Sequence, residues 1–425
     1  MKNTLDKSIN TLVETNVLSE SGGNWLRTYL DPFNDYQATP TGFPDSTSSL
    51  SLVRLIVNTS TVSAPAAGNW DCLICSTPIN TDNYVAAIPA TKNSIGWAYD
   101  HAAANTNLGG FVISKADTGT DLWPANSGFA ATFAAANGDW TPLPNRQDTD
   151  GGRLVAQGFE IRNTTAELYK NGSVITGEVP NVRTVRVVHT SDTNAAPLTD
   201  GPVLGEEFLG MPHNAGQAIR YPNALQWKAA EGTYNICHMS DINPGRAEED
   251  RGLVNIGGCA SLPAADGALN GTAFPQFPLY ETNNFNQSYA YFTGLSPETV
   301  LTVTTKSYYE IFPEHGSSMI REAKPSPPLD YAAMKLASMI VSGAPIAVPV
   351  GMNATGDYFR MIKKMIGSLL PYLPPVLGMV DPALGIAAKA SLDVLTPAVQ
   401  NFGDSLTRRR QLAERKKKAQ KKKTS

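Results

Sequence analysis

Residues 358–425 restrict this chain more than any other stretch. From Tyr358 to Leu406 the sequence is apolar and punctuated by prolines. In its first part Phe359 is followed by Ile362, Met365, Ile366, Leu369, Leu370 and Leu373, and from Ile362 onward these recur at helical spacing. Arg360, Lys363, Lys364 and Ser368 fall on the opposite side, so the pattern predicts a helix with one apolar and one basic face. Burying one such side chain is worth roughly 1.5–3 kcal/mol, and six together roughly 10–15 kcal/mol. A segment of that kind packs into the body, bundles with copies of itself or enters lipid. Pro371, Pro374 and Pro375 break the helix, and a second apolar stretch runs from Val376 to Val399. Pro374-Pro375 and Asp381-Pro382 argue against a continuous membrane span. A helical hairpin that merely covers a core is the plainer alternative.

A basic run follows at once. Arg408, Arg409, Arg410, Arg415, Lys416, Lys417, Lys418, Lys421, Lys422 and Lys423 face a single acid, Glu414. The whole chain has 34 Lys+Arg and 38 Asp+Glu, a net charge of −4. Without the ten bases and one acid of 408–425, 24 bases and 37 acids remain, so the body carries −13 and the tail +9. A body that repels polyanions thus bears a tail that attracts them. The tail has no interleaved aromatic residues, so it cannot read sequence by stacking. A solubility segment or a nuclear-localisation signal is the plainer reading.

The rest reads as a large β-rich body. A chain of 425 residues allows one large domain with insertions or two or three smaller ones. Its 35 Gly and 30 Pro suit short strands joined by turns. Leu5, Ile9, Leu12, Val13 and Val17 suit a short amphipathic helix that Ser21-Gly22-Gly23 should stop, followed by an extended acidic stretch over 25–45. Strand-like runs occupy Leu50–Val57, Trp70–Cys75, Tyr84–Ile88, Gly110–Ser114, Thr184–His189, Tyr289–Phe292 and Thr299–Tyr309. Residues 153–179 read as a hairpin turning at Asn171-Gly172, which suits a type I′ turn. Residues 191–285 read as long connections, with a protrusion among the options. From Pro327 the period becomes helical up to Gly343, and Ala344–Val350 is a short apolar run leading to Asn353. Many short strands with long loops point to a sandwich or jelly roll.

Conventional chemistry finds little support. Cys72, Cys75, Cys237 and Cys259 are too few for a disulfide scaffold. Strand alternation sends the Cys72 and Cys75 thiols to opposite faces, against a metal or redox pair. No Ser/His/Asp order, phosphate loop or metal-ligand spacing is evident. Asn58, Asn163, Asn171, Asn270, Asn286 and Asn353 head N-x-S/T triplets, but no apolar leader precedes them to imply secretion.

The run SPPLDYAAMKLASMIVSGAPIAVPVGMNATG (326–356), continued by DYFRMIKKMIGSLLPYLPPVLGMVDPALGIAAKASL (357–392), closely resembles the C-terminal region of insect nodavirus capsid precursors. Leu26 with Gly42-Phe43-Pro44-Asp45 resembles that family's N-terminal segment, and the similarity spans most of 25–392, weakly over 190–285. The resemblance implies a mainly β coat protein, an eight-stranded antiparallel jelly-roll sandwich with long loop insertions and with N- and C-terminal helices on its inner surface. It would divide into an inner arm (1–30), a shell domain (31–320), a segment leading to a cleavage site (321–353), a membrane-active peptide (354–406, including Phe359, Ile362, Met365, Ile366, Leu369 and Leu370) and a tail (407–425). The implied partners are further copies of the chain, single-stranded RNA and a host membrane. The implied location is the virion, with the host cytoplasm during assembly. A β-sandwich binding module with a basic anchoring tail and no cleavage is the competing reading.

The resemblance also implies one chemical event, cleavage of the Asn353–Ala354 bond by the protein itself. The Asn353 carboxamide nitrogen can attack its own main-chain carbonyl, forming a cyclic imide and releasing the Ala354 amine. That nitrogen is a poor nucleophile, so the step needs orientation and a nearby carboxyl group. The family places an Asp shortly before the Gly-x-Pro-Asp element. Here Asn34 stands at that place, with Asp35 beside it and Asp31 three residues earlier; Asp35 is the first candidate and Asp31 the second, turn or cap roles being the alternative. The family's basic arm is N-terminal, whereas this chain's bases are C-terminal, so Arg408–Lys423 take the RNA role. No cofactor is required. The family's interfacial calcium would fall to the Glu248-Glu249-Asp250 cluster, unless that is a solvated loop.

Overall fold

The structure is a computed structural model that describes residues 3–33, 40–45, 49–76, 106–107, 111–119, 149–179, 184–188, 203–207, 212, 214–221, 223–239, 252–255, 277–279, 285–313, 315–380, 385–386 and 388–389. The N-terminal helices are α1 (Asn3–Glu14) and α2 (Glu20–Leu30). Strands β1 (Leu50–Ser63), β2 (Trp70–Ser76), β3 (Thr106–Asn107), β4 (Phe111–Asp117), β5 (Thr149–Asn163), β6 (Ser173–Val179), β7 (Thr184–Val188) and β8 (Val203–Glu207) follow. A short helix α3 (Ala215–Ala218) precedes β9 (Leu225–Lys228), β10 (Thr233–Ile236), β11 (Gly252–Asn255), β12 (Phe277–Leu279), β13 (Gln287–Leu295), β14 (Val300–Pro313) and β15 (Lys324–Pro325). The chain continues through α4 (Tyr331–Val341), β16 (Ala347–Val348), α5 (Val350–Thr355), α6 (Asp357–Leu369) and α7 (Leu373–Val380).

The protein is mainly β, and two antiparallel sheets form a sandwich. One has the order β15-β1-β14-β5-β10-β16 and the other β3-β4-β2-β13-β6-β9. Among β1, β2, β5, β6, β9, β10, β13 and β14, taken in chain order, the first pairs with the eighth, the second with the seventh, the third with the sixth and the fourth with the fifth. The chain is therefore doubled back on itself as one long rolled hairpin. Strand alternation divides the faces of β5. Phe159 meets Phe111 of the other sheet, ring centroids 5.5 Å apart, while the neighbouring Gly158 lies against Pro32. A third sheet, β12-β11-β8-β7, gathers strands from the connections on either side of β9 and β10.

The helices pack on the face of the first sheet that looks away from the second. Trp25 donates through Nε1 to the Val155 carbonyl at 3.3 Å, and Tyr308 through Oη to the Pro32 carbonyl at 3.2 Å. Helix α2 packs on α1, α4 and β5, and α6 packs on α1, α4 and α5. N- and C-terminal segments thus form one layer. Asp330 locks it: one carboxylate oxygen caps α4 at the Ala333 N–H (2.8 Å), and the other accepts from the Ser19 N–H (2.6 Å) and hydroxyl (2.7 Å) at the start of α2.

Three expectations need correction. Gly22 and Gly23 do not stop a helix but lie inside α2, so Trp25–Leu30 are helical rather than extended. The missing side chains admit Asp330 beside Gly22 and let Val13 Cγ2 come within 2.6 Å of where a Cβ on Gly23 would sit. Residues 153–179 are not a hairpin, because β5 and β6 lie in different sheets. Their connection crosses the sandwich through a 3-10 turn at Glu167–Tyr169, and Gly172 (φ +94°) is its one positive-φ residue, so no type I′ turn forms. Finally, α6 does end at Leu369, with Pro371 in a 3-10 turn over Leu370–Tyr372, but Pro374 and Pro375 do not break a helix; they sit in the first turn of α7, where a missing N–H costs nothing. The Tyr84–Ile88 strand lies outside the described residues.

Candidate functional site

The element resembling the family's N-terminal segment is held by a buried ion cluster. Arg153 on β5 donates through Nε to Glu310 Oε2 (2.7 Å), and through both terminal nitrogens to the Asp45 carboxylate, at 3.2 Å from Nη2 and closer from Nη1. Glu310 also accepts from the Phe43 N–H (3.0 Å) and the Ser51 hydroxyl (2.7 Å). The guanidinium lies 5.4 Å from the ring centres of Phe43 and Phe312. Burial alone would lower the Arg153 pKa, but Glu310 and Asp45 outweigh it and raise it. Asp45 therefore clamps residues 40–45 onto the first sheet.

At the other end of that stretch Asp31 terminates α2. Its N–H donates to the Arg27 carbonyl at 2.9 Å, and its side chain is buried. Tyr234 of β10 donates its hydroxyl to Asp31 Oδ1 at 2.6 Å. The Tyr234 ring is flanked edge-on by Phe33 at 5.5 Å and by Tyr358 of α6 at 6.2 Å. Burial, reinforced by the Asp31 charge, drives both phenols well above their usual pKa, and Tyr234 donates as a neutral phenol.

This junction brackets the predicted cleavage bond. The backbone of Val348, before Asn353, pairs with Tyr234 across β16 and β10. Val350, at the start of α5, touches Gly232 just ahead of β10. After the bond, Tyr358 packs on Tyr234. The Asn353–Ala354 peptide lies in α5, which packs on β5 and β10; the Asn353 and Ala354 side chains lie outside the described residues. Of the two candidate carboxylates, Asp31 belongs to this junction, and Asp35 lies outside the described residues. Tyr234 and Tyr358 are residues of this junction that sequence reasoning missed, since neither carries a local motif.

The apolar face predicted for 358–373 is real and occupied. Phe359, Ile362, Ile366, Leu370 and Leu373 are buried, Met365 and Leu369 are half-buried, and Arg360 and Lys364 are exposed. The face is filled within the chain by α1 and α4. Among the described residues no helix is long and apolar enough to cross a membrane. Cys72, Cys75 and Cys237 are buried cysteines outside any disulfide, and burial raises the Cys237 pKa to about 12. Among the described residues no three His, Cys, Asp or Glu side chains gather to hold a metal ion. Cys259, the Glu248-Glu249-Asp250 cluster and the basic tail 408–425 lie outside the described residues.

No protein-family model and no curated protein matches the chain. Among solved structures it is similar to the protein of T=1 particles derived from infectious bursal virus, at 11% identity and TM-score 0.44, covering 80% of this chain and 96% of that one. It is similar also to the protein of the icosahedral particle of the same virus, at 11% identity and TM-score 0.44, covering 84% and 98%. A third likeness, at 11% identity and TM-score 0.40, is to the VP2 subviral particle of infectious bursal disease virus, covering 79% and 99%. Likeness this distant carries no functional argument.

Proposed function

We propose that the chain is the coat-protein precursor of a small non-enveloped icosahedral RNA virus. In this reading it assembles with copies of itself around single-stranded RNA and cuts its own backbone after Asn353. The rolled-hairpin pairing of the eight sandwich strands supports a jelly-roll shell domain. The helical layer built from both termini would face the interior, and the third sheet is the candidate protrusion. The observation that carries the cleavage reading is the convergence of Val348, Val350 and Tyr358, from both sides of the Asn353–Ala354 bond, on the strand whose Tyr234 holds Asp31.

The step balances without water or a cofactor. Asp31 takes a proton from Asn353 Nδ2 as that nitrogen bonds to the Asn353 carbonyl carbon. The bond to the Ala354 nitrogen then breaks, and Asp31 returns the proton to the departing amine. The products are a C-terminal succinimide and a new N-terminus at Ala354. The released piece carries α6, whose apolar face would serve host-membrane entry, together with Arg408–Lys423, which would neutralise RNA phosphates. Calcium at subunit interfaces remains part of the reading only through the Glu248-Glu249-Asp250 cluster.

Electron microscopy of the purified chain beside a denaturing gel tests the proposal. Shells with nucleic acid and a fragment starting at Ala354 are expected, and Asn353→Ala should give shells without the fragment. A nucleic-acid-free monomer, or fragment from the Asn353→Ala chain, overturns it.

A further inference from the structure

Strand β1 is an edge of the first sheet for most of its length. On one side β14 pairs with it from Leu52 to Ser63 without a register shift, whereas on the other β15 meets it only at Leu50 and Ser51. Just before β1, on the β15 side, the Ser49 carbonyl accepts from the Ser326 N–H at 3.0 Å. Backbone groups alternate sides along a strand, so those of Val53, Leu55, Val57, Thr59, Thr61 and Ser63 also point to this outer side. The Ser63 carbonyl accepts from Lys115 Nζ at 2.8 Å, which closes the far end. Between β15 and Lys115 the outer edge over residues 53–61 meets no other strand among the described residues. Native sheets blunt such an edge with charges, prolines or bulges. This one carries only Arg54, which is paired with Glu322 at 3.0 Å. Leu55 and Val57 are 43% and 46% exposed, and Thr59 and Thr61 are exposed beside them. They stand opposite Tyr308, Lys306, Thr304 and Thr302, on the sheet face where Tyr308 reaches Pro32 and Lys306 reaches Phe33, which is the helical side.

We propose that two copies of the chain join edge to edge through β1, residues 53–61 of one pairing antiparallel with the same residues of the other about a twofold axis at Val57. The inference rests on the coat-protein reading and deepens it by naming a contact between copies. A second copy suits this edge for three reasons. The stops at β15 and Lys115 centre the open stretch on Val57, midway between Val53 and Thr61, so each copy fills the other's edge in the same register. In that register Val57 faces Val57, Leu55 faces Thr59, Val53 faces Thr61 and Arg54 faces Ser60, so the one charged residue of the stretch meets no like charge. The outward-pointing residues then exchange about ten backbone hydrogen bonds. Finally, a twofold axis perpendicular to the sheet leaves both helical layers on one side and both second sheets on the other, as a shell with distinct inner and outer faces requires.

The test uses position 57 in the full chain, where the exposed side chain tolerates exchange. Facing residues of this register lie about 5.5 Å apart at Cα, within reach of a disulfide. Mild oxidation of assembled Val57→Cys chains should therefore join position 57 of two copies, seen as a dimer on a non-reducing gel and as the linked peptide by mass spectrometry. Val57→Lys and Val57→Glu, each alone, should keep the parental circular dichroism but lose assembly, and an equal mixture of the two should regain it. The amides of Leu55, Val57 and Thr59 should exchange rapidly in the monomeric chain and slowly in shells. Parental assembly by Val57→Lys, with no disulfide in Val57→Cys shells, overturns the β1 contact and leaves the coat-protein reading intact. Protection of these amides already in the monomer overturns it too, because the chain's own residues would then cover the edge. A parental chain that never assembles overturns both.

Discussion

Arg153→Met tests whether the first sheet depends on its buried ion cluster. Arg153, 2% exposed, makes three hydrogen bonds to two buried carboxylates. Methionine fills most of the stem's volume and keeps contact with Phe43 and Phe312, so the loss is chiefly of the cation. Glu310, fully buried, retains the Phe43 N–H and Ser51 hydroxyl, whereas Asp45 loses both guanidinium bonds. Removing one partner of a buried ion pair typically costs about 3–5 kcal/mol, because the remaining charge stays uncompensated. At about 2–4 °C per kcal/mol for a large domain, the melting temperature should fall by roughly 6–20 °C. Arg153→Lys should fall between the two, since one ammonium cannot span both carboxylates in fork geometry. Thermal unfolding followed by near-ultraviolet circular dichroism gives the shift. Limited proteolysis should show new cuts within 40–45 in the Met variant. A Met variant that melts within about 2 °C of its parent, with that stretch still protected, would refute the reasoning.

Other consequences are as direct. Gly22→Ala should destabilise the chain by about 1–3 kcal/mol, because its Cβ would enter the space of the Asp330 carboxylate that caps α4 and holds Ser19, the N-cap of α2; an unchanged denaturation midpoint would argue against that packing. Asp6 of α1 is buried 3.8 Å from Arg27, and burial, only partly offset by Arg27, raises its pKa from 3.8 to about 6. A pKa raised on folding contributes stability that is full below the unfolded value and lost as pH rises through the folded one, so this group's contribution grows as pH falls from about 6 toward 3.8. Asp6→Asn should flatten that part of the stability–pH curve, and a curve parallel to the parent's would contradict the assignment. Ile362→Ala, at a fully buried position of α6, should cost about 2–5 kcal/mol and speed amide exchange in α1 and α6 before the sandwich strands. Equal loss of protection in both layers would show that the helices and the sandwich open as one unit.

Much of the sandwich is legible because its signals are local. Runs such as Trp70–Cys75 and Thr299–Tyr309 became β2 and β14 with small shifts at their ends. The helical period from Pro327 became α4, with Asp330 in the capping place its type suggests. The misread pieces depend on partners distant in sequence. Two adjacent glycines normally weaken a helix, and nothing near Gly22 reveals an acid 308 positions later, by residue number, that needs the space. Asn171-Gly172 is good turn chemistry, but a turn does not specify whether the following strand pairs backward or crosses to the other sheet.

The same limit explains the site. Asn353 stands out only through a run of matching neighbours, and an acid had to be chosen between Asp31 and Asp35 on position alone. What ties Asp31 to this junction is not its own surroundings in sequence but a tyrosine hydroxyl from β10, on a strand that also pairs with the segment leading to Asn353. A rolled hairpin brings this about by its topology. Its third and sixth strands pair, which sets β10 beside β5 under α2, and the free edge of β10 is then the place where the returning C-terminal chain can add β16. The strand whose Tyr234 holds Asp31 therefore also pairs, through β16, with the segment that leads to Asn353.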